Sequence, residues 1–178
     1  MRYSVTAFLM CLPLLVGSMA LAADTKHREA GAHAHGHGKV NIAIEGKQLF
    51  IELEAPGADI VGFEHEAKTT DEKAAVKQAT ADLKNPGNVI ELPPSANCKA
   101  RKADVELHQE PGGDGHGEFH VTYEFQCGNV SKLSQITFSY FERFKNAEEL
   151  DTSVITSKGA KKFEATRKAP TIQLGGLL

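Results

Sequence analysis

Val40, Ile42 and Ile44 alternate with Asn41, Ala43 and Glu45, and the alternation resumes at Leu49, Ile51 and Leu53 after Glu45-Gly46-Lys47. Apolar residues at every second position mark a strand with one buried face, so these two runs predict a hairpin. Pro56-Gly57 ends the pair, and Ile60-Val61-Gly62-Phe63 follows as a short apolar segment that delivers Glu64-His65. The spacing then changes. Thr69 with Glu72 three positions on has the form of a capping box, and it predicts a helix from about Thr70 to Lys84 with Val76, Ala79 and Leu83 on the buried stripe. Asn85-Pro86-Gly87 stops that helix.

Beyond it, the pattern predicts a short strand over residues 88–92. A weakly alternating run, 103–108, is expected to pair with a stronger one carrying Phe119, Val121, Tyr123 and Phe125 on one face. Between them lies the glycine-rich loop from Gln109 to Gly117. Ile136, Phe138 and Tyr140 form a further strand pattern, Phe141 to Leu150 reads as a short amphipathic helix, and Val154-Ile155 and Phe163 sit on two strands around Ser157-Lys158-Gly159. The sum is an α+β fold, a single domain with a mainly antiparallel sheet and two helices packed on it.

The N-terminus changes the picture of where this domain works. Arg2, the apolar run Ala7 to Val16, and Ala20-Leu21-Ala22 read as a secretory signal peptide over residues 1–22. A histidine-rich segment, 23–38, and the α+β domain, 39–178, are expected to follow. No later stretch is long and apolar enough to insert in a membrane after cleavage. The formal charge of −3 becomes −4 without Arg2, and no basic run exists to hold a phosphate backbone, which argues against a nucleic-acid partner.

Of three cysteines, Cys98 and Cys127 remain after cleavage. An even pair in an oxidising compartment is expected to form a disulfide, with a pair of thiolate metal ligands as the alternative. The bond is further expected to hold the glycine-rich loop near the N-terminal histidines.

Eight histidines are a modest excess, but their placement matters more than their number. His33, His35 and His37 share the polar parity that runs into Val40, Ile42 and Ile44. Residues two apart on a strand lie roughly 6.5 Å from each other, close enough for two rings to meet one ion. Three in an ideal strand span too far, so either the glycines let the segment curl or further ligands come from elsewhere. His65 stands between Glu64 and Glu66, and His116 and His120 flank the start of a strand with His108 and Asp114 near them. These groups are candidate metal ligands. The plain readings beside them are a solvated histidine tract, a hydrogen-bonded structural histidine at 65 and an ordinary polar hairpin tip.

Catalytic signatures are missing. No His-Glu-x-x-His helix and no Gly-x-Ser-x-Gly turn is present, so an enzyme reading rests only on a histidine-held zinc with Glu64 or Glu66 as base, a periplasmic hydrolase. A structural or interaction module with incidental histidines is the third class. Imidazole also binds copper and nickel, and methionine or thiolate ligands suited to cuprous ion are lacking.

His35-Gly36-His37 leading into Val40 to Gly46, followed by Leu53-Glu54-Ala55-Pro56-Gly57-Ala58-Asp59-Ile60-Val61-Gly62-Phe63-Glu64-His65, resembles the ZrgA family of periplasmic zinc-regulated proteins. Ala96-Asn97-Cys98, the aromatic strand ending at Cys127 and Ala147-Glu148-Glu149-Leu150-Asp151 carry the same likeness. The resemblance implies a periplasmic protein that binds zinc and assists its uptake, alongside a zinc ABC importer or its solute-binding protein. Carried over by position, it implies His35, His37, His65 and His120 as ligands. Several relatives have a long histidine- and acid-rich run between the cysteines where this chain has only His108, Asp114, His116 and His120, which implies a site of one or two ions here.

Overall fold

In the computed structural model, which describes residues 35–109 and 116–178, the predicted hairpin is the centre of the sheet. Strand β1 (His37–Glu45) pairs antiparallel with β2 (Gln48–Pro56), Val40 opposite Leu53 and Ile44 opposite Leu49. Outward from β2 come β4 (Glu118–Cys127) and then β3 (Cys98–His108), both antiparallel. On the other side β1 pairs in parallel with β6 (Glu149–Thr156), and β7 (Gly159–Thr166) returns antiparallel as the second edge. The order is β3-β4-β2-β1-β6-β7, mainly antiparallel with the single β1–β6 parallel pair. A second, two-stranded sheet joins β5 (Gln135–Thr137) to β8 (Thr171–Gln173).

The period-two pattern has one physical result. Val40, Ile42, Ile44, Leu49, Ile51, Leu53, Phe119, Val121, Tyr123, Leu150 and Val154 all point to the same face and are almost fully buried. Helix α2 (Thr70–Leu83) covers that face with Ala79 and Leu83, and its start has the predicted capping box, Thr69 accepting from the Glu72 amide while Glu72 accepts from the Thr69 amide. The Tyr123 hydroxyl donates to the Leu83 carbonyl, so the last turn of α2 is tied to the sheet through a buried phenol. Burial pushes that phenol's pKa far above its ordinary value, so it stays a donor. Two single-turn helices, α1 (Gly57–Ile60) and α3 (Tyr140–Arg143), complete the helical complement, and α3 packs Tyr140 and Phe141 into the same core. The described residues belong to one compact unit, Ala32–Leu178. Among them no helix is long and apolar enough to cross a membrane.

Three local expectations change. The helix expected from Phe141 to Leu150 is one turn long, and Leu150 lies on β6. In its place the Arg167 guanidinium donates to the carbonyls of Phe141, Phe144, Lys145 and Ala147, while the Glu148 and Glu149 amides, which a longer helix would turn back on Phe144 and Lys145, donate to the Gly36 carbonyl. Tyr140 opens α3 and does not continue the Ile136 strand. The strand expected over residues 88–92 is reduced to one bridge, Glu91 with Thr137, because the chain first makes a 3₁₀ turn at Pro86–Asn88. The signal peptide, His27, His33 and Asp114 lie outside the described residues.

Cys98 and Cys127 form the expected disulfide, opposite each other in the β3–β4 register. The tethering role does not follow. Cys98 faces Cys127 at one end of the ladder and His108 faces Glu118 at the other, roughly 30 Å away at the rise of an extended strand. The ladder itself, and not the sulfur bridge, brings the two ends of the glycine-rich loop together.

Replacing both cysteines by Ala is expected to remove roughly 3.6 kcal/mol, from the chain entropy of a closed loop of this length. Thermal or urea unfolding would measure it, and metal binding by the folded variant should be unaffected. Tyr123→Phe should cost about 1–3 kcal/mol in the same assay by leaving the buried Leu83 carbonyl without its donor.

Candidate metal centre

The histidine-bearing segments meet at the end of the sheet where β1 begins, β2 ends and β4 begins. The Gly57 amide donates to the Gly117 carbonyl at 2.6 Å, which draws the entry of β4 onto the exit of β2. A methyl group on Gly117 would lie 2.6 Å from the Glu64 carbonyl oxygen, so only glycine allows the 63–65 segment to pass this close. The result is that Glu64 and His116, 52 positions apart, become neighbours: Glu64 Oε2 lies 2.7 Å from His116 Nδ1. The other carboxylate oxygen, Oε1, lies 3.3 Å from His35 Nε2, outside hydrogen-bonding geometry. Glu64 is thus placed between two imidazoles. Its side chain is 13% exposed and the rings are 70% and 57% exposed, a shielded carboxylate under two histidines reachable from solvent.

His35 reaches Glu64 because the chain turns just before β1. Gly36 has φ +87, so His35 leaves the strand line that His37 follows. The Gly36 amide donates to Asp59 Oδ1 at 2.7 Å, and its carbonyl accepts from the amides of Glu148 and Glu149, each at 2.8 Å. The turn at Gly36 parts His35 from His37. His37 keeps the solvent-facing parity, and its Nδ1 lies 3.7 Å from Glu149 Oε1.

The remaining described histidines also have carboxylates beside them. His65 is held at both nitrogens, Nδ1 3.0 Å from the Glu66 carbonyl oxygen and Nε2 3.7 Å from Glu72 Oε1, and its ring stacks on Phe63. It therefore joins the site segment to the cap of α2. His120 Nε2 lies 2.7 Å from Glu118 and His108 Nε2 3.1 Å from Glu106, and these two rings stack with centroids 4.3 Å apart across β3 and β4. The arrangement brings His35 and His116 to one carboxylate, whereas His37, His65 and the His108–His120 pair have separate partners. Among the described residues, no group of three or more His, Cys, Asp and Glu side chains is arranged to hold a metal ion.

Asp59 is what the histidine pattern does not reveal. It is 2% exposed, its Oδ2 has no hydrogen-bond partner, and Glu64 Oε1 and the Tyr140 hydroxyl are buried and equally unmatched. Burial pushes the Asp59 pKa up, the Gly36 amide and His35 pull it down, and Glu64 pushes it up again. The only sign in the sequence is an acid set inside the otherwise small and apolar run from Ala55 to Phe63.

The described residues form an α+β sheet domain with one disulfide and with histidines set against carboxylates at one sheet end. The chain belongs to the ZrgA family of zinc uptake proteins, whose family model matches residues 32–174. Comparison with curated proteins gives no match.

Zinc, the family's cargo, fits the donor types here, imidazole nitrogen and carboxylate oxygen. Gly117→Ala is expected to push Glu64 away from His116 and to cost about 1–3 kcal/mol in stability. Urea unfolding reads the stability, and imidazole resonances recorded by NMR should show His116 changed and His108 not.

Proposed function

We propose that the protein captures zinc in the periplasm and supports its delivery to an import system, a zinc ABC importer or its solute-binding protein. The observation that carries this reading is the Glu64 carboxylate set between His35 and His116. Two imidazoles and a carboxylate are a common zinc donor set, and a buried carboxylate beside exposed rings lets the ion arrive from solvent and find a charge already in place. His37 is two residues from His35 and lies against Glu149, and it stands as a further candidate ligand beside that set. His33, two positions before His35 and outside the described residues, is a further candidate ligand.

His65 and His120 complete the candidate ligands on family likeness, His120 with its neighbour His108 on the outer face of the sheet. Family membership in zinc uptake supports zinc over copper or nickel. Family likeness and the disulfide support a periplasmic site of action, with residues 1–22 as the export signal and 23–38 as a histidine-rich lead into the domain.

Isothermal titration of the wild-type protein with zinc is expected to show a tight event that the His35→Ala/His37→Ala double variant loses. An unchanged isotherm would overturn the assignment. Glu64→Gln keeps the size of the side chain and removes its charge, and zinc affinity should fall by at least about 10–100-fold, the range seen when a group that only orients a metal ligand is lost.

A further inference from the structure

Asp59 stands apart from the histidine pattern, and its surroundings give it a specific task. It lies in the third position of the single-turn helix α1, 2% exposed, with one carboxylate oxygen unmatched. A carboxylate at this depth works against stability unless its bonds are good. Its one hydrogen bond goes to the Gly36 amide, 23 positions away. Gly36 is the residue that separates His35 from His37, and its left-handed conformation is what turns His35 away from the strand and toward Glu64.

The carbonyl side of Gly36 is fixed by the amides of Glu148 and Glu149, where the chain enters β6. Those bonds hold the start of β1 against β6 but leave the rotation of the preceding peptide open. The bond from Asp59 closes it, because it grips the N–H of that peptide, whose other half is the His35 carbonyl group. The same carboxylate is electrostatically coupled to His35, His37 and Glu64.

We propose that Asp59 is a positioning residue for zinc: its buried carboxylate latches the Gly36 amide and thereby sets His35 over Glu64. This rests on the reading that His35 and Glu64 take zinc. Asp59 itself does not touch the ion. The latch needs an acceptor oxygen and not a charge, so the conservative amide replacement should serve. Asn keeps an oxygen that accepts from the Gly36 amide, whereas Ala removes it.

The test is zinc titration of the full chain with the wild type, Asp59→Asn, Asp59→Ala, His35→Ala and the Asp59→Ala/His35→Ala pair. Asp59→Ala should weaken zinc about tenfold, the low end for a residue that orients a ligand. Asp59→Asn should bind within about threefold of wild type. Because the effect runs through His35, the double variant should bind no more weakly than His35→Ala alone. Full additivity in that cycle would overturn the proposal, as would an Asp59→Asn variant as weak as Asp59→Ala, which would make Asp59 a charged ligand.

Where Asp59→Ala does not yield folded protein, Gly36→Ala carries the same question with Asp59 intact. A side chain there meets both the strained φ and the Glu148 side chain at 3.2 Å, so the latch is disturbed at its other end. Wild-type zinc affinity in that variant would refute the latch. Wild-type protein that takes up no zinc at all would sink the zinc reading, whereas wild-type binding alongside an equally tight Asp59→Ala variant would sink only the role of Asp59.

Discussion

The contact between the Gly57 amide and the Gly117 carbonyl is the constraint on which the site depends. It joins the end of β2 to the approach of β4 and leaves no room for a side chain between Gly117 and the backbone of Glu64. Three segments that are distant in sequence are thereby stacked at backbone distance. On that path the Glu64 side chain is largely shielded, and its carboxylate lies between His35 and His116. Everything else at this end of the sheet, including the turn at Gly36 and the stacking of His65 on Phe63, is arranged around a segment whose course is set by two glycines.

The central sheet was legible in the sequence because strand alternation is a local signal. Val40 to Ile44, Leu49 to Leu53 and Phe119 to Phe125 each declare a buried face without reference to any partner. Helix α2 was legible for the same reason, since its capping box lies within four residues. The 141–150 region was not. Its apolar residues are buried as the pattern says, but Arg167, more than twenty positions away, takes up the carbonyls that a helix would have used. A periodicity argument sees burial and not the competitor for hydrogen bonds. The parallel pairing of β1 with β6 was hidden as well, because alternation along a strand carries no information about the direction of its neighbour.

For the site, the histidines were visible and their partners were not. His35, His37, His65, His116 and His120 stand out by residue type and clustering, but each has a glutamate side chain beside it, and glutamate is too common on surfaces to signal a partner by itself. Glu64 was singled out beside His65 and as a possible base, but its place between His35 and His116 emerges only once Gly117 brings His116 to it, and Glu149 only once β6 lies beside β1. Asp59 was hidden more deeply, since a single acid in a short apolar run has many ordinary explanations and its meaning lies in one bond to a distant amide.

The two ends of the β3–β4 ladder divide the demands made on the protein. At one end Cys98 and Cys127 close the chain, and Cys127 is fully buried, so this end contributes stability and exposes little chemistry. At the other end His108 opposes Glu118 and the glycine-rich loop departs, with rings in contact with solvent. A closed, fully buried tetrahedral site would hold zinc as part of the fold, and losing the ion would cost the fold itself. Here the apolar core lies apart from the histidines: the buried face of the sheet is filled by side chains, and the helix start is capped by its own residues. On the proposed reading, zinc would enter and leave the histidine end without the domain having to fold or unfold around it. Under that proposal, carboxylate-backed imidazoles on the surface of a domain with its own apolar core suit a cargo that must be passed on.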